Sequence, residues 1–192
     1  MMHALRRRIL SRNKRNGERL SEDMVQALAG PDRPQGVSSA RTSINKDKLP
    51  KIYGIRWVQK EHIAGKDVVD LSAGKWPENV TSRFPNVIPR DPFNLPRDVN
   101  IRALRGIYDT AIISNTLNVL DDDRAIYELL ELARTVADTT LITVYESKAE
   151  GYTSSGYQRG KKLADYLPYA YRVFGRDNVT IRGGVMVCEF YR

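Results

Sequence analysis

Four short stretches of this chain carry acids, amides or small residues where chemistry could be done. Asp70-Leu71-Ser72-Ala73-Gly74-Lys75 follows the apolar pair Val68-Val69, and an acid succeeded by small residues lets backbone approach a ligand closely. Asp91-Pro92 comes about 20 residues later, the distance at which a nucleoside-binding fold places a carboxylate to accept from both ribose hydroxyls. Ser114-Asn115-Thr116-Leu117-Asn118 and Tyr145-Glu146 each close a run rich in β-branched residues. A dinucleotide would need a G-x-G-x-x-G cradle for its pyrophosphate. Here the first loop has one glycine, Gly74, and Pro77 interrupts the segment after it. The pattern argues against NAD and for a nucleoside ligand without phosphates, of which S-adenosylmethionine is the usual one. Each position also has an ordinary structural use. Asp70 could cap a turn, Asp91 could open the Asp-Pro turn, and Asn115 and Asn118 could satisfy loop backbone.

From residue 67 onward, short apolar strands alternate with helical segments. The strands are DVVDL, NVIPRD, YDTAIIS and TTLITVYE. Between them come PENVTSRF, RDVNIRALRG and DDDRAIYELLELARTVA. The last is the best-marked helix. Its aspartates sit at the positive dipole end, and Ile126, Leu129, Leu130, Ala133 and Val136 form a stripe along one face. A helix is also expected over QRGKKLADYLPYAYRVF, after a loop SKAEGYTSSGY. NVTIR and VMVCEFYR, joined by Gly183-Gly184, read as a terminal hairpin. Strands separated by helices imply an α/β fold with a mainly parallel sheet and a C-terminal antiparallel hairpin. Right-handed crossovers then bring all four stretches to one rim, where ligands bind in such sheets. Upstream, SEDMVQALAG predicts a short helix capped by Ser21 and stopped at Gly30-Pro31. PDRPQGVSSARTS has the composition of a linker. A helix around residues 50–60 would place Ile52, Ile55 and Val58 on one face. These features divide the chain into a basic helical or irregular extension, residues 1–42, and a domain, residues 43–192.

The formal charge is +8, and its distribution says more than its size. Residues 1–66 hold 15 Lys and Arg against 6 Asp and Glu, whereas residues 67–192 hold 16 against 17. Arg6, Arg7, Arg8, Arg12, Lys14 and Arg15 form the densest block. Such a block attracts polyanions, of which nucleic acid is the commonest; a solvated arm is the plainer reading. No apolar run approaches the ~18 residues of a membrane span. MMHALRRRIL lacks the apolar stretch of about 7–15 residues that a secretory signal needs. With the single cysteine, Cys188, in an apolar strand, these features point to a reducing cytoplasm. Two histidines, His3 and His62, and that cysteine give no basis for a metal site.

Over residues 43–192, the order VVDLSAGKWPENV, IPRDPFN, YDTAIISNTLNVLDDD, LITVYE and GYQRGKKLADY resembles the small class I S-adenosylmethionine-dependent methyltransferase-like proteins of bacteriophages and their bacterial relatives. More distantly it is similar to methyltransferase-like proteins associated with DNA phosphorothioation. The resemblance implies a Rossmann-like sheet. It implies that Asp70, Ser72, Ala73 and Gly74 face the methionine part of the cofactor, Asp91 the ribose, and Ser114 with Asn115 the adenine or transfer rim. Of the three glycines in the family's first loop one survives, Gly74; Ser72 and Trp76 stand at the other two. Only one strand-sized gap lies between Asp91 and Tyr108, so a strand usual in the fold is expected to be missing.

Methyl transfer from a sulfonium is a displacement. It needs alignment above all, and a base only when the acceptor is a poor nucleophile. Asn115 and Glu146 are the candidate catalytic residues. The exit loop SNTL lacks the prolines of amino-methylating enzymes that act on adenine, and Cys188 is misplaced for cytosine C5 chemistry. The first expectation is therefore an S-adenosylmethionine-dependent methyltransferase acting on nucleic acid, in the host cytoplasm if phage-encoded. The alternative is a catalytically inactive protein of the same fold that binds nucleic acid or a host protein through its basic arm.

Overall fold

The computed structural model describes residues 20–32, 48–146, 148, 150–153 and 156–190. The basic block, the linker and the boundary at residue 42 lie outside the described residues. Strands β1 (Val68–Asp70), β2 (Val87–Pro89), β3 (Tyr108–Ser114), β4 (Ala137–Thr143), β7 (Val179–Arg182) and β8 (Val185–Glu189) form one sheet in the order β2-β1-β3-β4-β8-β7. β1 to β4 pair in parallel, while β8 runs antiparallel to both β4 and β7. This is the mainly parallel α/β sheet with a C-terminal hairpin expected from the sequence. The described residues between Asp91 and Tyr108 hold no strand, and β2 is a sheet edge.

The period-two alternation of strand side chains sorts the core into two layers. Val69, Ala111, Ile113, Ile142, Met186 and Cys188 point to one face. Helices α4 (Arg97–Arg105), α5 (Asp123–Val136) and α6 (Leu167–Phe174) cover it. Val68, Ile112, Leu141, Val185 and Val187 point to the other, against Ile52, Tyr53, Val58, Ile63 and Val80 of α3 (Glu78–Thr81). The buried positions of α5 are those of the predicted stripe, with Leu129 partly buried and Leu132 added. Gly183 and Gly184 turn the terminal hairpin at φ 56° and 77°, conformations that favour glycine. Cys188 is a free thiol in the core, and burial pushes its pKa up to about 12.

Three segments differ from expectation. Residues 51–63 are not one helix. A 3₁₀ turn, Lys51–Gly54, leads to α2 (Arg56–Val58), which widens into a π turn, Gln59–Ile63. The buried residues Ile52, Tyr53, Val58 and Ile63 are too widely spaced for one α-helical stripe, and the wider last turn carries Ile63 back to the sheet. The expected helix from Gln158 begins only at Leu167, after a 3₁₀ turn Leu163–Tyr166. Pro168 takes the first turn, where its missing N–H costs nothing. SKAEGYTSSGY is not simply a loop. It holds a small hairpin, β5 (Gly151–Thr153) with β6 (Gly156–Gln158), in which Tyr152 and Tyr157 pair edge to face at 5.2 Å.

The predicted helix α1 (Glu22–Leu28) is capped by Ser21, whose hydroxyl accepts from Met24 N–H at 3.3 Å. It docks on the domain. Val25 and Ala29 are fully buried in the same layer as Ala103 and Leu104, and Arg105 pairs with Glu22 at 2.7 Å.

Candidate functional site

The chain leaves β1 toward β2 on one side and returns across it to β3 on the other. This reversal is a topological switch point, and in open α/β sheets ligands bind in the crevice beyond the carboxyl ends of the strands at such a point. The loops that flank it carry the first and third stretches singled out in the sequence.

Asp70 ends β1 on the same face as Val68. That parity sends its carboxylate toward Tyr53, and the group is only 2% exposed. One oxygen accepts from Tyr53 Oη at 2.6 Å. The other accepts from Ser72 N–H at 2.9 Å and Ser72 Oγ at 3.2 Å. Ser72 Oγ in turn accepts from Ser114 N–H at 2.7 Å. Thr143 Oγ1 donates to Ser114 Oγ at 3.3 Å, and Asn115 N–H to Thr143 O at 2.8 Å. One string of hydrogen bonds therefore crosses the ends of β1, β3 and β4. Burial raises the Asp70 carboxyl to about 6, against the Tyr53 and Ser72 hydrogen bonds that favour its charge; Asp91 nearby adds to the rise. The buried Tyr53 hydroxyl is held well above its ordinary value by the same burial and by Asp70.

Asp91 lies two residues past β2 and is 7% exposed. Its Oδ2 accepts from Gly74 N–H at 3.0 Å, and its Oδ1 accepts from Phe93 and Asn94 N–H at 3.0 and 3.1 Å. A carboxylate has about four acceptor positions, so three are in use. A ribose diol could be received only if Gly74 N–H were released. Gly74 has φ 71°, and Ala73 N–H donates to Arg90 O at 3.2 Å, so the first loop is folded down on the second. Asn115 is exposed and takes φ 55°, the one non-glycine residue in the left-handed region among the described residues. Asparagine tolerates that conformation, and such residues gather where ligands are clamped.

The structure thus brings Asp70, Ser72, Gly74, Asp91 and Ser114 together, with Ala73 and Asn115 at their margin. Glu146 is exposed beyond β4, and its carboxylate accepts from Leu163 N–H at 3.1 Å, closing the loop before α6. Asn118 is buried and donates to Gln158 at 3.1 Å. Arg159 is buried. Its Nε donates to Leu120 O at 2.5 Å and its Nη1 to Asp123 at 2.6 Å, bolting the β5–β6 hairpin to the exit of β3. Sequence reasoning missed Tyr53 and Asn100 as well. Asn100 is fully buried, and its Oδ1 accepts Asp91 N–H at 2.9 Å. Its place in the buried series Asn100, Ala103, Leu104 was the available signal.

Exposed aromatic rings stand on the same rim: Trp76 after β1, Phe93 after β2, Tyr145 after β4 and Tyr152 on β5. The exposed charges there are mixed, with Lys75, Lys148 and Lys162 among Asp121, Asp122, Asp123, Glu146 and Glu150. Among the described residues no three His, Cys, Asp or Glu come together as a metal site, and no helix is long and apolar enough to cross a membrane.

No protein-family model matches the chain, and no curated protein matches it. Solved structures are similar to it at low identity, among them the following two. An O-methyltransferase family protein from Burkholderia thailandensis is 16% identical over 67% of this chain, with a TM-score of 0.39. A candidate O-methyltransferase from Nostoc punctiforme PCC 73102 is 13% identical over 81%, with a TM-score of 0.44. The chain spans about half the length of each, 52% and 56% respectively.

Proposed function

We propose that the protein is an S-adenosylmethionine-dependent methyltransferase whose cofactor binds in the crevice between β1 and β3. One observation carries the reading. A buried acid, a hydroxyl relay and a glycine N–H converge at the switch point of a parallel sheet, with a second acid directly across the loop. The groups there suit a nucleoside rather than a phosphate, because carboxylate acceptors dominate them and the neighbouring Arg90 guanidinium has its Nη2 on Leu28 O. Asp91 would hold the ribose after giving up Gly74, the backbone at Ser72–Gly74 would face the methionine part, and Asn115 would border the adenine. The cofactor supplies an electrophilic methyl group. The protein's own part is to align an acceptor against the rim and to keep water from it, for which the exposed rings at Trp76 and Tyr145 are placed.

Nucleic acid is the acceptor that the basic first third of the chain favours. The mixed charges of the rim leave the grip on a polyanion to that region. A second reading has one observation in its favour: Asp91 is already engaged by three backbone N–H groups, as in a fold whose cofactor loop has become structural. The chain would then be a catalytically inactive binding protein, its partner a nucleic acid or a host protein.

Calorimetric titration with S-adenosylmethionine and with S-adenosylhomocysteine separates the two. Micromolar binding of either is expected. Absence of binding up to millimolar ligand, only about 4 kcal/mol of affinity, would overturn the enzyme reading and leave the second.

A further inference from the structure

We propose that Asn100 is a positioning residue that joins the docked helix α1 to the Asp91 loop, so that helix docking and the geometry of the crevice rise and fall together. Three consecutive carbonyls at the end of α1 are received by three side chains of the domain. Leu28 O accepts from Arg90 Nη2 at 2.8 Å, Ala29 O from Asn100 Nδ2 at 3.0 Å, and Gly30 O from Arg97 Nη1 at 2.5 Å. The last carbonyls of a helix have no partner within it, and two of these donors are cations placed at the negative end of the dipole.

The same residues hold the crevice from behind. Asn100 brackets Asp91, accepting its N–H through Oδ1 and donating from Nδ2 to Asp91 O and Leu95 O at 3.2 Å each. Arg90 N–H donates to Asp70 O at 2.7 Å, and Arg90 O accepts from Ala73 N–H. Gly30 packs so closely on Pro92 that a Cβ there would stand 2.4 Å from Pro92 O. Undocking α1 would strip Asn100 Nδ2 of one acceptor and leave the buried Arg90 guanidinium without its carbonyl, its Nε being already unpaired among the described residues. One loss falls on Arg90, whose backbone joins Asp70 to Ala73, and the other on Asn100, whose side chain holds the backbone of Asp91. Linkage requires a shared element whose equilibrium each end biases; the docked helix, with an undocked arrangement as its counterpart, is that element in this proposal.

The amides of Gly74, Phe93 and Asn94, all donors to Asp91, report on the link by hydrogen exchange of the full chain without any ligand. Arg97→Ala loosens α1 from its solvent side, and Val25→Asp undocks it outright. In both, exchange at the three amides is expected to rise about tenfold, while Met186 to Cys188 in the distant hairpin keep the wild-type rate. Arg97→Lys, which can still reach Gly30 O, should restore most of the protection. Fast exchange along α1 with Gly74, Phe93 and Asn94 unchanged would overturn the proposal, and so would a uniform rise across the sheet. A second arm rests on the proposed function: S-adenosylhomocysteine should bind Arg97→Ala several-fold more weakly than wild type at a temperature where both are fully folded. If wild type binds none, the cofactor reading fails, and the exchange pattern alone decides the link.

Discussion

At Asp70 a carboxylate sits where water does not reach, and its charge is held by Tyr53 and Ser72 alone. Its folded pKa is about 6, against an ordinary 3.8. A raised carboxyl pKa stabilises the fold while the group is protonated. The contribution is complete below about pH 3.8 and is lost as pH rises through about 6, about 3 kcal/mol in all. Urea unfolding of wild type and Asp70→Asn at a series of pH values should show this decline between about pH 4 and 6 in wild type only. Tyr53→Phe removes the 2.6 Å bond. It should cost about 1.5–3 kcal/mol above about pH 6, where the partner is charged, and less below. Asp91→Ala leaves three backbone donors without their acceptor. We expect it to lower stability by about 3 kcal/mol and to weaken S-adenosylhomocysteine by about 1.5–3 kcal/mol. Unchanged affinity in a folded variant would remove Asp91 from the cofactor site.

The elements divide by how local their causes are. β1 to β4 and the terminal hairpin were legible because short apolar runs between turn residues mark strands, and α5 because its stripe repeats at helical spacing. The rim could therefore be read as a row of strand ends. Partners across the row could not. Tyr53 meets Asp70 over 17 positions and Asn100 meets Ala29 over 71, and no local pattern encodes such pairings. Residues 51–63 misled for a related reason: the spacing of the buried side chains follows the sheet beneath them rather than one helical period. α1 was legible as a helix but not as a docked one. Removing residues 2–32 should cost about 3 kcal/mol by uncovering Ala103 and Leu104, as thermal unfolding of that truncation would show.

For the whole molecule, charge and fold are separate properties. From residue 67 onward the chain is near neutral, while the first third carries all the excess positive charge. If nucleic acid is the partner, affinity should fall steeply with salt. Deleting residues 2–19, with Arg6, Arg7, Arg8, Arg12, Lys14 and Arg15, should then reduce the slope of log K against log salt by about 3–5. Fluorescence anisotropy with a short single strand and with a duplex would measure it. A slope unaffected by the deletion would place the contact elsewhere.

The fit of Gly30 on Pro92 also makes a statement about descent. Position 30 has φ 81° and no space for a β-carbon, so a lineage that keeps α1 against the Asp91 turn has almost no choice of residue there. As related chains are gathered, glycine at this position, ahead of the segment that resembles the methyltransferase-like proteins, will sort those that inherited the docked arm from those that carry an unrelated leader on the same sheet.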